Sequence, residues 1–480
     1  MKNFKIKIIT VALMLAFSPV IAQESETFTL DSALVFAAKN NPDVKAAFNQ
    51  YLASLEKVPQ VGTLPDPQAS FGFFVKPMAI LAGSQVANIE VMQMFPWFGT
   101  LKLAKDEASE MAKAKYEVFN AAKADLFYQV KSSWYQLIKL DNEIALVKEN
   151  IELLQSLEKL ALVKFQSPET GGSSSGMNNN NGSMNSSSTG TMNSAGGGMS
   201  GMNASQNQGN ALAMSSGQNS SMQGGMTSQK TGLQDVLRVR MEILEQQDKL
   251  ALLTDQRKTA EISFNILLNR NKEISVTITD SLEKVSLPAE KLAIADSILA
   301  NNPMLSMLEK ETSSYEIMEQ KAVKMGLPMV GVGLNYMVNQ KREGNTFMMN
   351  GKDMVMPMVS VSIPIYRKKY DAMQREAELM KEATKEQTIS MRNNLQVQYR
   401  SFIQNLDDAE RRIKLYNEQE ELAQKTTELL LTEFSTSGAD YEEVLRMQYK
   451  VLDYGFKHIE AVTDYNTTVA MAEKLMGSVM

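Results

Sequence analysis

Val355-Met356-Pro357-Met358-Val359-Ser360-Val361-Ser362-Ile363-Pro364 reads as a strand with two unlike faces. Side chains alternate along an extended chain. Val355, Val359, Val361 and Ile363 therefore share one side with Pro357, and Met356, Met358, Ser360 and Ser362 share the other. The stretch Pro328–Met337 repeats the division, with Val330, Val332, Leu334 and Tyr336 opposing Met329, Gly331, Gly333, Asn335 and Met337. In Val86–Phe95, Ile89 and Val91 oppose Asn88, Glu90, Met92 and Met94. With Gln68–Pro77 these make four strand candidates, each about the length that crosses a bilayer as a tilted barrel strand. The apolar-out, polar-in dyad is that of an outer-membrane barrel. Four strands cannot close such a barrel, since the smallest have about eight, and an open edge is not tolerated in lipid. In a membrane, several chains would have to share one barrel. A soluble four-stranded sheet packed on helices is the alternative.

Outward from the strands, the chain repeats itself. Asn41-Pro42 lies near the start of one helical stretch and Asn302-Pro303 near the start of another. The strand regions close at Phe95-Pro96 and Ile363-Pro364. Long helical patterns follow over 99–166 and 366–434, reaching Phe165 and Phe434. A turn then leads to Asp235-Val236-Leu237-Arg238 in one half and Glu443-Val444-Leu445-Arg446 in the other. Each long helix would span about 100 Å at 1.5 Å per residue. The shorter helical stretches, 30–61 with 233–270 and 291–326 with 440–478, match that length when stacked end to end. The expectation is an elongated antiparallel helical rod with coiled-coil-like packing. The organisation reads as a signal peptide over 1–22, a first repeat over 23–167, an insertion over 168–232, the end of the first repeat over 233–287, and a second repeat over 288–480.

The first 22 residues carry Lys2, Lys5 and Lys7, an apolar run from Ile8 to Phe17, and Val20 and Ala22 at the −3 and −1 positions of a cleavage site. This is a secretory signal, too short for a membrane span. No cysteine follows it to carry a lipid anchor, and no later stretch is long and apolar enough for a transmembrane helix. The absence of cysteine from all 480 residues also removes thiolate chemistry, zinc and iron–sulfur sites and disulfides. A formal charge of −6 argues against a nucleic-acid partner. The single imidazole, His458, reads as a packed or surface residue, and no convergent set of acid, base and nucleophile suggests an enzyme.

The duplication, the paired strands in each half, the long helices and the turn before Asp235-Val236-Leu237 and Glu443-Val444-Leu445 together resemble the TolC-like outer membrane efflux proteins. The resemblance covers about residues 27–478 outside the insertion. Gln93-Met94-Phe95-Pro96-Trp97-Phe98-Gly99 looks like the copper/silver, heavy-metal branch. It implies a mainly α fold with a small β part: a helical periplasmic tunnel, and four strands per chain contributing to a shared twelve-stranded barrel of a homotrimer in outer-membrane lipid. It also implies a periplasmic adaptor and an inner-membrane pump of the RND type as partners. Asp235, Val236, Leu237, Arg238, Glu443, Val444, Leu445 and Arg446 would lie at the periplasmic entrance, where they meet the adaptor. Asp235 and Glu443 match the family's acidic position. Arg238 and Arg446 stand where some relatives carry a second acid, which argues against a strongly cation-selective ring.

The insertion holds 15 Ser, 14 Gly, 10 Asn and 8 Met among its 65 residues, with only Glu169 and Lys230 charged, too little apolar surface to offset ordering entropy. A Gly/Ser linker has no need of Met177, Met184, Met192, Met199, Met202, Met214, Met222 and Met226. Thioethers are soft ligands suited to Cu(I) and Ag(I), and need no deprotonation. A second crowd is Met325, Met329, Met337, Met348, Met349, Met354, Met356 and Met358. Of the strand methionines, Met92, Met94, Met329, Met337, Met354, Met356 and Met358 are candidate lumen-facing metal ligands. Adaptable packing is the other use of methionine. The expected function is a passive outer-membrane conduit of a tripartite exporter for Cu(I)/Ag(I), with no cofactor beyond transiently bound metal. Two alternatives stay open: a general drug or secretion channel with incidental methionines, and a soluble periplasmic metal-sequestering coiled-coil protein.

Overall fold

A computed structural model describes residues 26–27, 29–166, 233–436 and 441–477. The segment 1–22, expected to be a signal peptide, and the 168–232 insertion with its eight methionines lie outside the described residues. In chain order the elements are β1 (Glu26–Thr27), α1 (Leu30–Asn40), α2 (Pro42–Val61), β2 (Gln68–Ile80), β3 (Gly83–Phe95) and α3 (Thr100–Gln166). There follow α4 (Leu233–Leu267), β4 (Val276–Thr277), α5 (Lys291–Asn301), α6 (Pro303–Met325), β5 (Met329–Gln340), β6 (Met354–Ser362), α7 (Arg367–Thr436) and α8 (Tyr441–Leu475).

The two long helices, α3 with 67 residues and α7 with 70, contain neither Pro nor Gly. Nothing in them interrupts the i→i−4 ladder, and each runs about 100 Å. Beside α3 lie α2 toward the sheet and α4 beyond it; beside α7 lie α6 and α8 in the same way. The halves join because α3 also packs on α6 and α8. Partly exposed ion pairs reinforce this seam. Lys131 Nζ lies 2.6 Å from Glu473 Oε2, Lys474 Nζ lies 2.5 Å from Asp125 Oδ1, and Lys321 pairs with Glu107.

The shorter helices break at the Asn-Pro pairs, where the sequence suggested single helices over 30–61 and 291–326. A residue before proline is pushed out of the helical region, and Asn41 (ψ 129°) and Asn302 (ψ 121°) are extended. Each asparagine then holds two helix ends at once. Asn41 Oδ1 accepts from the amides of Asp43 and Val44, capping α2, while its Nδ2 donates to Leu267 O at the end of α4. Asn302 does the same for α6 through Met304 and Leu305, and for α8 through Leu475 O at 2.9 Å. This is how α4 continues into α2, and α8 into α6. Asn302→Ala removes a cap and orphans a buried carbonyl, an expected loss of about 2–3 kcal/mol, read as a lower denaturation midpoint. An unchanged midpoint would contradict the role.

Near the midpoints of the long helices sit two cores. Trp134 of α3 packs with Phe264, Leu268, Val276 and Leu34 of α1. Phe402 and Leu406 of α7 pack with Ile294 and Ile298 of α5, Tyr465 and Leu475. The segment between α4 and α5 is strapped over this region by two asparagines. Asn265 Nδ2 donates to Lys272 O and Ile274 O, and Asn466 Nδ2 donates to Glu283 O while its Oδ1 accepts from Val285 N. Here β1 and β4 form a short parallel pair that the sequence did not suggest.

The main sheet is antiparallel with order β2-β3-β5-β6. That order repeats the lateral order of the helices that feed it, α2, α3, α6 and α7, so the sheet extends the helical wall without crossing. β2 runs past Pro77 to Ile80, and Pro357 lies inside β6. Both are edge strands, where a missing amide donor is tolerated, and pairing of β2 with β3 is interrupted between Phe73 and Met78. At the other end of the sheet, Gly99 takes φ +86° to turn β3 into α3, a conformation that favours glycine.

Candidate functional site

Register decides which side chains share a face, because directly paired residues point the same way. Gln68, Met92, Gly333 and Met358 form one transverse row across the four strands. Ser70, Glu90, Asn335 and Met356 form the next, and Gly72, Asn88, Met337 and Met354 the third. On the other side of the first row come Met94, Gly331 and Ser360, then Met329 and Ser362. Met92, Met94, Met329, Met337, Met354, Met356 and Met358 thus lie on the face that carries Ser70, Asn88, Glu90, Asn335, Ser360 and Ser362, while Met78 of β2 lies beyond the interruption in pairing. The opposite face has Ala69, Val91, Leu334 and Pro357 in one row and Phe71, Ile89, Tyr336 and Val355 in another. Its apolar groups lie open in the single chain, with Phe73 82% and Val359 74% exposed. Met348 and Met349 belong to the β5–β6 loop and Met325 to the end of α6, off these rows.

At the far end of the helices is a third core, built from Leu154, Leu157 and Ala161 of α3, Val236, Val239 and Ile243 of α4, and Phe434, Tyr441, Val444 and Leu445. Val236, Val444 and Leu445 are buried anchors, whereas Leu237 is exposed. Burial pushes the Tyr441 phenol well above its ordinary pKa, and the carboxylates of Asp235 and Glu158 add to the shift. Arg238 donates from Nη1 to Glu442 Oε2 at 3.0 Å, linking the second turn of α4 to the first turn of α8, and Arg446 pairs with Glu443 at 2.7 Å within α8. The sequence reading missed Glu442, because it aligned Glu443 with Asp235 and had no measure of which acid faces the other helix. Glu442 and Glu443 each meet a guanidinium here, so the arginines offset their acidity. The pairs are exposed, a setting in which an ion pair contributes about 0–1 kcal/mol.

Elsewhere, a groove of about 620 Å³ runs between α3, α7 and α8 near mid-height, away from both the methionine face and the tip. Its Arg412 is already bound to Asp408 and Asp464, each at 2.8 Å. His458 Nδ1 lies 3.7 Å from Glu420 Oε2. Burial raises the Glu420 pKa, with His458 opposing the shift. Among the described residues no group of three or more His, Cys, Asp or Glu side chains is placed to hold a metal. None of their helices is long and apolar enough to cross a membrane.

The sequence matches no family model and no curated protein. Among solved structures, the chain is similar to the outer membrane protein VceC of Vibrio cholerae, with a TM-score of 0.64 at 10% identity over 93% of this chain and 95% of that one. It is similar to CusC, described in terms of folding and transmembrane channel formation, with a TM-score of 0.65 at 12% identity over 94% and 92%. The Campylobacter jejuni outer membrane channel CmeC aligns at 0.63 and 12% identity over 95% and 90%. At such identities the likeness is one of fold: mostly helical with a small antiparallel sheet, the fold of TolC-like channels.

Proposed function

We propose that the chain is the outer-membrane channel of a tripartite efflux system, a passive conduit from periplasm to exterior whose cargo is Cu(I) or Ag(I). The observation that carries the channel reading is the sheet: four antiparallel strands whose two edges are unpaired among the described residues, with one exposed apolar face and one face of Met, Asn, Ser and Glu. In lipid, backbone groups at such edges must be paired. A head-to-tail contact between the β2 edge of one copy and the β6 edge of the next does this and closes when the rotation returns to the start. Three copies give a twelve-stranded wall with its apolar face toward lipid and its methionine face toward the lumen. The helices then form the periplasmic tunnel, and the tip residues from Asp235 to Arg238 and from Glu443 to Arg446 become the entrance that meets an adaptor and an RND-type pump. The exposed Phe73 and Val359 weigh against a soluble sequestering protein.

The likeness to solved channels is equally strong for VceC, CusC and CmeC, so the choice of cargo rests on the methionines. The general drug or secretion channel is the competing reading. Growth of a strain lacking the chain separates the two. The proposal expects tolerance to silver and copper salts to fall while tolerance to drugs and detergents holds. A fall in drug tolerance with metal tolerance intact would reverse the assignment.

A further inference from the structure

Resting on the metal-channel reading, the geometry points to a discrete binding site for one Cu(I) or Ag(I) ion on the methionine face, formed by Met92, Met94 and Ser360 over the bare backbone of Gly331. Met92 and Met94 are alternate residues of β3, so their side chains leave the sheet on the same side. Gly331 is the direct partner of Met94 on β5, and Ser360 is the partner of Gly331 on β6. Glycine between them leaves a hollow. A Cβ there would lie 2.6 Å from Met94 Sδ and collide with Ser360 Oγ, so the sulfur and the hydroxyl occupy the space a side chain would fill.

Ser360 Oγ lies 3.4 Å from Met92 Sδ and 3.8 Å from Met94 Sδ. A hydroxyl carries one proton, and a thioether is a weak acceptor. Both sulfurs therefore face one small region that a single O–H cannot satisfy for both. A soft monovalent cation suits two thioethers and an oxygen better than a proton donor does. The hydroxyl then turns a lone pair inward, which needs only rotation about its C–O bond. One row beyond Met92 and two beyond Gly331 on the same face, Asn335 is 7% exposed and its Oδ1 has no hydrogen-bond partner among the described residues, with Glu90 as its cross-strand neighbour. The surroundings thus offer acceptor oxygens and a carboxylate, a setting that favours a cation. Two neutral sulfurs and a hydroxyl form a weak site, as conduction requires, because an ion held too tightly does not leave.

The test uses the full-length protein extracted in detergent, with Ag(I) supplied as silver nitrate in chloride-free buffer. Sulfoxide formation by dilute peroxide is followed at each methionine by peptide mass spectrometry, which separates this site from the insertion methionines. A thioether bound to silver is withheld from oxidation. With free Ag(I) at about ten times its Kd, about a tenth of the site is empty, so oxidation of Met92 and Met94 should slow about tenfold, and together. Gly331→Ala should remove protection at both residues while leaving both thioethers in the chain. Should that variant fail to fold, Met94→Leu is a near-isosteric change that cores tolerate at under about 1.5 kcal/mol, and it should abolish protection at Met92. Protection of neither residue in the native protein overturns the site, as does protection of Met92 that survives Met94→Leu. The measurement needs neither pump nor cell. Joint protection in a protein whose loss leaves silver tolerance unchanged would uphold the site and remove the cargo assignment. Silver tolerance that depends on the chain, without protection at Met92 and Met94, would do the reverse.

Discussion

Val359→Arg should empty the outer membrane of assembled channel. Val359 sits on the apolar face of β6, paired with Val332, and is 74% exposed in the single chain. In the assembly proposed here that exposure is to lipid. An arginine at mid-bilayer on the lipid face of a barrel costs about 2–4 kcal/mol. Three copies carry it at once, so the assembled barrel loses about 6–12 kcal/mol, comparable to the whole stability of a typical domain. Membrane fractionation and the mass of the detergent-extracted species measure the outcome. Ser70→Arg is the control. Ser70 lies on the opposite face of β2, beside Glu90, where a charge would meet water and a carboxylate, and assembly should survive it. Equal tolerance of both variants would mean that the apolar face does not meet lipid.

The second large effect concerns the insertion. Replacing Met177, Met184, Met192, Met199, Met202, Met214, Met222 and Met226 together by Leu should cost cells silver and copper tolerance while channel levels stay normal. Leucine keeps the apolar character of methionine and removes only the sulfur, so lost tolerance would report ligand chemistry. Each channel would carry three such sets of eight thioethers at the entrance. Many weak tethered ligands at one place act at roughly millimolar effective concentration, enough to gather a soft ion and pass it on by exchange. The segment joins two helices whose second-half counterparts, α7 and α8, are joined across only four residues, 437–440. Folding should therefore not depend on its composition. Full metal tolerance in the eight-methionine variant would reduce the insertion to a spacer and leave the strand methionines as the sole metal candidates.

Much of the architecture is carried by features that single residues display. Long helical patterns uninterrupted by Pro or Gly read directly as long helices, and alternation in the strand segments marks their faces before any register is known. Errors arose where a residue's meaning depends on its neighbours in space. Pro77 looks like the end of a strand, yet β2 continues to Ile80 because it is an edge and its pairing is already interrupted there. Asn41-Pro42 and Asn302-Pro303 look like punctuation inside one helix. They are separate starts, each fastened to the end of a helix more than 170 residues away in sequence. The convergence of Met92, Met94 and Ser360 was only half visible. Alternation put them on one face, but that Gly331 lies between them follows from pairing across three strands, which no local pattern records. The Arg238–Glu442 pair is similar, because it joins helix starts from different halves of the chain.

Covalent capture of the contact between copies tests the central claim most directly. The chain has no cysteine, so an introduced pair is the only pair present. β2 and β6 lie at opposite edges of the sheet, separated by β3 and β5, and neighbouring strands are about 4.8 Å apart. One cysteine on β2 and one on β6 are therefore too distant to bond within a chain, since disulfide Cα atoms lie about 4.4–6.8 Å apart. Phe71→Cys can be combined in turn with Val355→Cys, Val359→Cys and Val361→Cys and oxidised in native outer membranes. At the matching register the account predicts covalent species of two and three chains on a denaturing gel, and none larger. Single-chain bands at every pairing, or a ladder that continues past three, would contradict a closed barrel shared by three copies.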